Sequence, residues 1–385
     1  MTRILVLVLF ALMGWATQGQ SQTPLFSPAP GSPVTVGPGS GNIITADLNG
    51  DGHLDLVTGH IQSRILTVQL GDGAGRFAPA PNGLIALNYM PGHIQLGDLN
   101  GDKILDLGVT ISDRDNVDIF LGNGKGSFSR APGSPFTASA SEEFYTRSIH
   151  FVDINEDGKL DIITANGRKN TFATLIGNGR GGFSPGQTMK LDLDPGQGRI
   201  VFACGDVDGD GHLDAVAVSG AGADLGPGRV VVQRGDGKGA FKNASGPALS
   251  VPPGAFCLEL ADMNGDQRLD IVISHGSNDV SVLLNNGKGV FAPAPGSPYN
   301  LGTEGWELAV GDVNRDGKKD LVVATVESIT VLLGNGRGFV PAPGSPFHAG
   351  PGSYHLAVGD VNGDGKLDVA AASFGGNAVT VLLGR

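Results

Sequence analysis

The sequence predicts an all-β chain folded as a ring of four-stranded sheets, and three observations lead there. A nine-residue acidic loop recurs seven times, a glycine-rich turn recurs between the loops, and the last repeat lacks a strand that the N-terminal residues can supply. Composition agrees: 63 glycines, 23 prolines and 6 % aromatics in 385 residues favour many turns and short strands over long helices.

The loop is clearest as Asp360-Val361-Asn362-Gly363-Asp364-Gly365-Lys366-Leu367-Asp368. Calcium takes about six to eight oxygen ligands, and a short loop can supply them from positions 1, 3, 5, 7 (a backbone carbonyl) and 9 if the chain bends sharply at position 6. Those five positions are Asp360, Asn362, Asp364, Lys366 and Asp368 in the last copy, and Asp47, Asn49, Asp51, His53 and Asp55 in the first. Between them come Asp98, Asn100, Asp102, Ile104 and Asp106; Asp153, Asn155, Asp157, Lys159 and Asp161; and Asp206, Asp208, Asp210, His212 and Asp214. Asp262, Asn264, Asp266, Arg268 and Asp270, then Asp312, Asn314, Asp316, Lys318 and Asp320, complete the set. The side chains at position 7 are incidental, because the carbonyl is the donor. Lys103 and Gln267 replace the position-6 glycine, so the loops at Asp98 and Asp262 are expected to be the weakest sites. Asp208 adds a fourth carboxylate to its loop, which is expected to be the tightest.

Each loop is preceded by a short apolar strand A, such as Leu308-Ala309-Val310, and followed by a strand B, such as Leu160-Asp161-Ile162-Ile163. A strand C, such as Ser281-Val282-Leu283-Leu284, then enters the glycine turn, seen as Gly122-Asn123-Gly124-Lys125-Gly126-Ser127-Phe128 and Gly235-Asp236-Gly237-Lys238-Gly239-Ala240-Phe241. Asn-Gly and Asp-Gly suit tight hairpins because both tolerate positive φ. Strand D follows the turn. Seven such units, about 52 residues apart, cannot bury both faces alone. The termini decide between an open array and a ring. The last repeat stops at Arg385 after strand C, whereas Leu25-Phe26-Ser27-Pro28-Ala29-Pro30-Gly31-Ser32-Pro33 matches the D-strand stretch Phe291-Ala292-Pro293-Ala294-Pro295-Gly296-Ser297-Pro298. The N-terminal strand is therefore expected to complete the last blade of a seven-bladed β-propeller.

On the joint recurrence of loop and glycine turn, the chain resembles the FG-GAP and VCBS-type repeat proteins, whose best-known relatives are the integrin α-subunit propellers. The resemblance spans residues 23–385. It implies Ca²⁺ at the A–B loops, about seven ions in all, and an adhesion-type, non-catalytic binding scaffold for a protein or glycan. Repetition on every blade points to a structural ion rather than one that bridges a ligand.

Residues 1–22 read as a cleaved secretory signal, with an uncleaved anchor as the alternative: Arg3 precedes an apolar run from Ile4 to Leu12, with small or polar residues from Ala16 to Ser21. That run is shorter than the ~20 residues of a membrane span, and no later segment qualifies. The mature chain is expected to be a secreted monomer, extracellular or periplasmic. The net charge of −12 traces to the loops, which hold 22 of the 38 acids at their ligand positions; seven Ca²⁺ would bring it to about +2. With no basic patch, nucleic acid is not an expected partner. Cys204 and Cys257 lie two and five residues before their loops, a three-residue offset of roughly 10 Å along equivalent strands, against a ~7 Å limit for a bridge. Free thiols are expected.

Enzyme signatures are absent: there is no Gly-x-Ser-x-Gly, His-Glu-x-x-His or Gly-Lys-Ser/Thr. Gly177-Asn178-Gly179-Arg180-Gly181-Gly182 has dinucleotide-loop spacing, but Phe183 and a proline-containing strand follow where that fold needs a helix. The functional surface is expected opposite the acidic loops, at the D–A and B–C connections and the channel mouth. Long connections there include 131–148, with Glu142, Glu143, Phe144, Tyr145 and Arg147, and 219–228. At the start of the A strands stand Phe256, Trp306 and Tyr354, with His93, Glu307 and His355 one residue further in. Aromatics beside polar groups suit sugars or peptide side chains, though they equally suit packing between blades. His93, His150 and His355 come from different blades, which disfavours a transition-metal site. The alternative function is a polysaccharide-acting enzyme using Glu259, Glu307, His150 or His355 as acid and base.

Overall fold

The computed structural model describes residues 23–112, 114–138, 146–193, 199–219, 226–244 and 249–385. Residues 1–22 and the connection holding Glu142, Glu143, Phe144 and Tyr145 lie outside them, as does most of the 219–228 connection. Among the described residues no helix is long and apolar enough to cross a membrane. The secondary structure is β throughout, in seven antiparallel sheets of strand order A-B-C-D. Strand A of blade 1, Ser40–Ala46, touches strand A of blade 2, Pro91–Gly97, and so on through Thr146–Val152, Ile200–Gly205, Ala255–Ala261, Leu308–Gly311 and His355–Gly359. The last of these touches the first, so the ring closes. The chain is a seven-bladed β-propeller.

Closure uses the predicted permutation. Phe26–Pro28 pairs with the last C strand, Ala378–Gly384, in the register Phe26 to Gly384 and Pro28 to Leu382, and Val34–Thr35 continues along it. Leu25 fixes the seam further, since its carbonyl accepts the Arg385 N–H at 2.9 Å and its own N–H reaches the Pro343 carbonyl at 2.9 Å.

The B strands explain why the blades must stack. Asp55–His60, Asp106–Ile111, Asp161–Asn166, Asp214–Ser219, Asp270–His275 and Asp368–Ser373 are buried at every position, because each is covered on both faces by a neighbouring blade. That accounts for near-continuous apolar runs instead of the alternation of a one-sided sheet. Seven apolar clusters result, one at each junction between blades.

Strand D carries a feature not anticipated. In five blades it is broken into two short pieces, as in Phe291–Pro293 and Tyr299–Asn300. In four of them the break falls at Gly-Ser-Pro, and the serine hydroxyl accepts the N–H that the interrupted strand would otherwise leave unpaired. Ser32 takes it from Val381, Ser134 from Ile119, Ser297 from Val282 and Ser345 from Val331, all at 2.7–2.9 Å. A buried backbone donor needs such a partner.

Candidate functional site

Two places gather chemistry-bearing residues: the loop face and the opposite mouth of the channel. All seven acidic loops share one construction. Position 1 accepts the position-6 N–H at 2.7–3.0 Å, as Asp47 does from Gly52 and Asp360 from Gly365. Position 3 accepts the position-5 N–H, as in Asp51 to Asn49, and position 5 accepts the position-7 N–H, as in His53 to Asp51. The three side chains thereby converge. In the fourth loop, carboxylate oxygens of Asp206, Asp208 and Asp210 lie within 4.8 Å of one another. An all-oxygen set of this kind fits a hard cation such as Ca²⁺.

Two aspects of these loops escaped the sequence reading. Positive φ is needed at position 4 as well as position 6. Lys103 and Gln267 adopt φ 68° at position 6, as expected, but Glu156 (59°) and Arg315 (60°) do the same at position 4, so strain is shared by four loops. Both position-4 side chains lean on the next loop: Glu156 Oε1 lies 2.5 Å from His212 Nδ1, and Arg315 donates to the Gly365 carbonyl. The second aspect is position 9. Each of these seven aspartates is wholly buried, with Oδ2 accepting the position-2 N–H and Oδ1 accepting the N–H of the last C-strand residue. One carboxylate thus ties the A–B corner to the C–D corner, and each oxygen keeps a lone pair for an ion. Burial pushes the carboxyls of Asp106, Asp214 and Asp368 up to about 6, against the pull of those two N–H groups.

At the other end, a cavity of about 320 Å³ opens into the channel. His93, Phe256, Trp306, Glu307, Tyr354 and His355 all line it, together with His150 and Glu259. The aromatics stack on one another rather than standing as separate platforms. Phe256 lies 4.0 Å from Trp306 at 18°, Trp306 lies 4.4 Å from Tyr354, and the Arg199 guanidinium sits 5.0 Å from the Phe256 centroid. The result is one half-buried wall spanning blades 5 to 7. Below it Glu307 Oε2 meets His355 Nδ1 at 2.5 Å. Trp306 Nε1–H is buried with no acceptor among the described residues.

Burial governs the electrostatics here. It pushes the Glu259 carboxyl up to about 7, with the Glu307 charge adding to the effect, and holds His150 down to about 4. His150 Nε2 lies 2.8 Å from the Phe202 carbonyl and donates to it. Its ring is 6.5 Å from that of His93, which lines the same cavity. Cys204 and Cys257 are free, half-buried thiols; burial drives Cys204 up to about 12 and Cys257 higher, which leaves neither a nucleophile at neutral pH. Arg199, Phe202 and Cys204 joined the site unannounced, since only the ring geometry brings the start and A strand of blade 4 beside these aromatics.

The FG-GAP-like repeat profile matches residues 47–109, 98–164, 153–217, 206–273, 262–323 and 312–371. No functionally curated protein matches the sequence significantly. Among solved structures, BBS1N in complex with ARL6DN is similar at TM-score 0.59 and 14 % identity, over 94 % of this chain and 97 % of that one. A lectin of Agrocybe aegerita, described as recognising non-reducing terminal N-acetylglucosamine, aligns at TM-score 0.52 and 24 % identity over 86 % and 88 %. A Lactobacillus plantarum protein aligns at 0.59 and 12 % over 82 % and 86 %. These likenesses concern the fold. The repeat matches run through six overlapping windows from Asp47 to Ala371, so the chain belongs to the FG-GAP-like repeat family.

Proposed function

We propose that the protein is a secreted, calcium-stabilised binding scaffold without catalytic activity, and that its channel mouth holds a glycan residue or a side chain of a partner protein. The observation that carries this is the one-sided wall of Phe256, Trp306 and Tyr354 above the Glu307–His355 pair. Ring edges and faces bind the apolar side of a sugar, and a carboxylate paired with an imidazole binds its hydroxyls. Trp306 Nε1–H has no acceptor among the described residues, and a ligand oxygen would provide one. The lectin neighbour lends a precedent for sugar recognition on this fold.

Glycan and protein arrays probed with the full chain test the reading. Trp306→Ala and Glu307→Gln should each weaken the captured ligand at least tenfold, about 1.4 kcal/mol. Equal capture by wild type and both variants would overturn it.

A second reading is favoured by Glu259, whose pKa near 7 suits a general acid beside a second carboxylate. Turnover of a polysaccharide, abolished in Glu259→Gln, would replace the scaffold by an enzyme. A broad panel without turnover counts against it.

The calcium part is supported by the hydrogen-bond construction shared by the seven loops and by the converging carboxylates of Asp206, Asp208 and Asp210. At a Kd near 0.1 mM and about 1 mM calcium, each ion adds about 1.4 kcal/mol, or roughly 10 kcal/mol over seven if additive.

A further inference from the structure

At the loop end, one repeated hydrogen bond ties successive blades together. The glycine at the fifth place of a C–D turn donates its N–H to the position-2 carbonyl of the preceding blade: Gly126 to Leu48, Gly181 to Leu99, Gly239 to Ile154 and Gly289 to Val207, at 2.9–3.3 Å. The same glycine lies close against the last apolar residue of the preceding C strand. A Cβ built on Gly126 would stand 2.8 Å from Leu70, and one on Gly181 2.8 Å from Leu121.

Among the described residues the bond is absent where blades 7 and 1 meet, although Gly75 there still packs against Leu383, and where the chain ends interrupt the turn of blade 7; the junction of blades 5 and 6 lacks both the bond and a turn glycine against its C-strand leucine. Its turn, Gly334-Asn335-Gly336-Arg337-Gly338-Phe339, is one residue shorter than Gly122-Asn123-Gly124-Lys125-Gly126-Ser127-Phe128. Among the described residues no N–H from it reaches the Met263 carbonyl, and Gly338 faces Tyr299 instead. Six position-2 side chains are buried (Leu48, Leu99, Ile154, Val207, Val313 and Val361), whereas Met263 is only partly so. Leu284, the counterpart of Leu70 and Leu121, borders a cavity of about 460 Å³ wedged between the two blades.

The lining has a definite chemistry. Met263, Val282, Leu284 and the edge-to-face pair Tyr299–Phe339, 4.9 Å apart, make apolar walls. Lys319 and Arg337 are exposed at its rim, and neither has an ion-pair partner among the described residues. Lys318 is already held by Asp316 at 3.2 Å. The carboxylate on the rim, Asp262, has its oxygens on the N–H groups of Gly265, Asp266 and Gln267. The volume lies within the range of about 300–1,000 Å³ usual for small-molecule sites.

We propose that this wedge is a binding site for a small amphipathic anion: an apolar body the size of a medium acyl chain or a fused aromatic ring lies between the blades, and its carboxylate meets Lys319 and Arg337 at the mouth. The site is independent of the channel.

Titration calorimetry of the full chain with octanoate and with octanol tests it. Octanoate should bind at one site per chain, and Lys319→Glu combined with Arg337→Glu should weaken it at least tenfold while changing octanol less than twofold. A serine inserted between Gly338 and Phe339 restores the regular turn and should remove both ligands. Met263→Phe fills the wedge from the opposite wall and should do the same, so a misfolded insertion leaves the test intact. Octanoate binding that Met263→Phe does not reduce, or no saturable octanoate binding to the wild type, overturns the proposal. Octanol binding as tightly as octanoate overturns the anionic part.

Discussion

The loop face and the channel mouth are built from the same seven repeats and treat them in opposite ways. On the loop face all seven acidic loops share the same hydrogen bonds among positions 1, 3, 5, 6 and 7, down to the buried position-9 aspartate that joins two corners of its blade. At the mouth the copies diverge: blades 5 to 7 give Phe256, Trp306 and Tyr354, and blades 2 and 3 give His93 and His150. A feature repeated around the whole ring fastens the ring. One that appears on a single side of it can select a ligand, because only a broken symmetry gives the channel an orientation.

The widest separation between the two regions should come from chelation. Removing calcium should lower the thermal midpoint by on the order of 10 °C, given roughly 10 kcal/mol spread over seven sites. An unchanged midpoint in excess chelator, followed by calorimetry, would mean that the loops hold themselves.

Replacing a position-9 aspartate comes next. Asp214→Ala leaves the Val207 and Gly235 N–H groups without acceptors and should cost about 2–5 kcal/mol in urea unfolding. If the cost persists in chelator, the carboxylate acts through the backbone; if it vanishes there, it acts through the ion.

Acid should act through three histidines that burial holds near 4, His150 and the equivalent pair His60 and His275. His60 and His275 close equivalent B strands, with Nε2 of each 2.8–2.9 Å from a hydroxyl, Thr67 or Ser281. Burial holds both near 4, below the ordinary value of about 6.5, so between these values the unfolded chain takes up protons that the folded chain refuses. Their contribution is complete above about 6.5 and is lost as pH falls toward 4, to the extent of about 3 kcal/mol each. The double variant His60→Gln, His275→Gln should flatten the stability profile over that window; an unaltered slope would assign the acid sensitivity elsewhere.

The smallest effect concerns strain. Lys103→Gly and Gln267→Gly should each stabilise the chain by roughly 0.5–1 kcal/mol, since a side chain at φ 68° is relieved at the expense of a looser unfolded state. On the other side of the comparison, Glu307→Gln should leave the thermal midpoint within about 2 °C while ligand capture falls. A large loss of stability in that variant would make the mouth part of the fastening.

Much of this was legible because repetition turns one chain into its own alignment. Seven copies of the loop showed the period, and the resemblance of Leu25–Pro33 to Phe291–Pro298 showed how the ring shuts. The six residues expected at the channel mouth do line one cavity, since each sits just before or at the start of an A strand. What stayed hidden depends on three-dimensional partners. Glu156 and Arg315 give no sign in sequence that they occupy a left-handed backbone position, because the hairpin formed by the neighbouring residues imposes it. The second duty of the position-9 aspartates was masked by their fitness as metal ligands. Stacking of Phe256, Trp306 and Tyr354 on each other depends on the angle between blades, which periodicity leaves open.

The pairing of Phe26–Pro28 with Leu382–Gly384 has a consequence for how the molecule is made. Blades 1 to 6 are each continuous in sequence and can condense in turn as the chain emerges. Blade 7 needs both ends of the chain together. Until Ala378–Gly384 exists, Phe26–Pro28 has no edge to join and the two flanks of an unfinished arc stay uncovered. Assembly is therefore a zip followed by a clasp, and any chain shortened at its C-terminus would be left holding two sticky edges instead of one small gap.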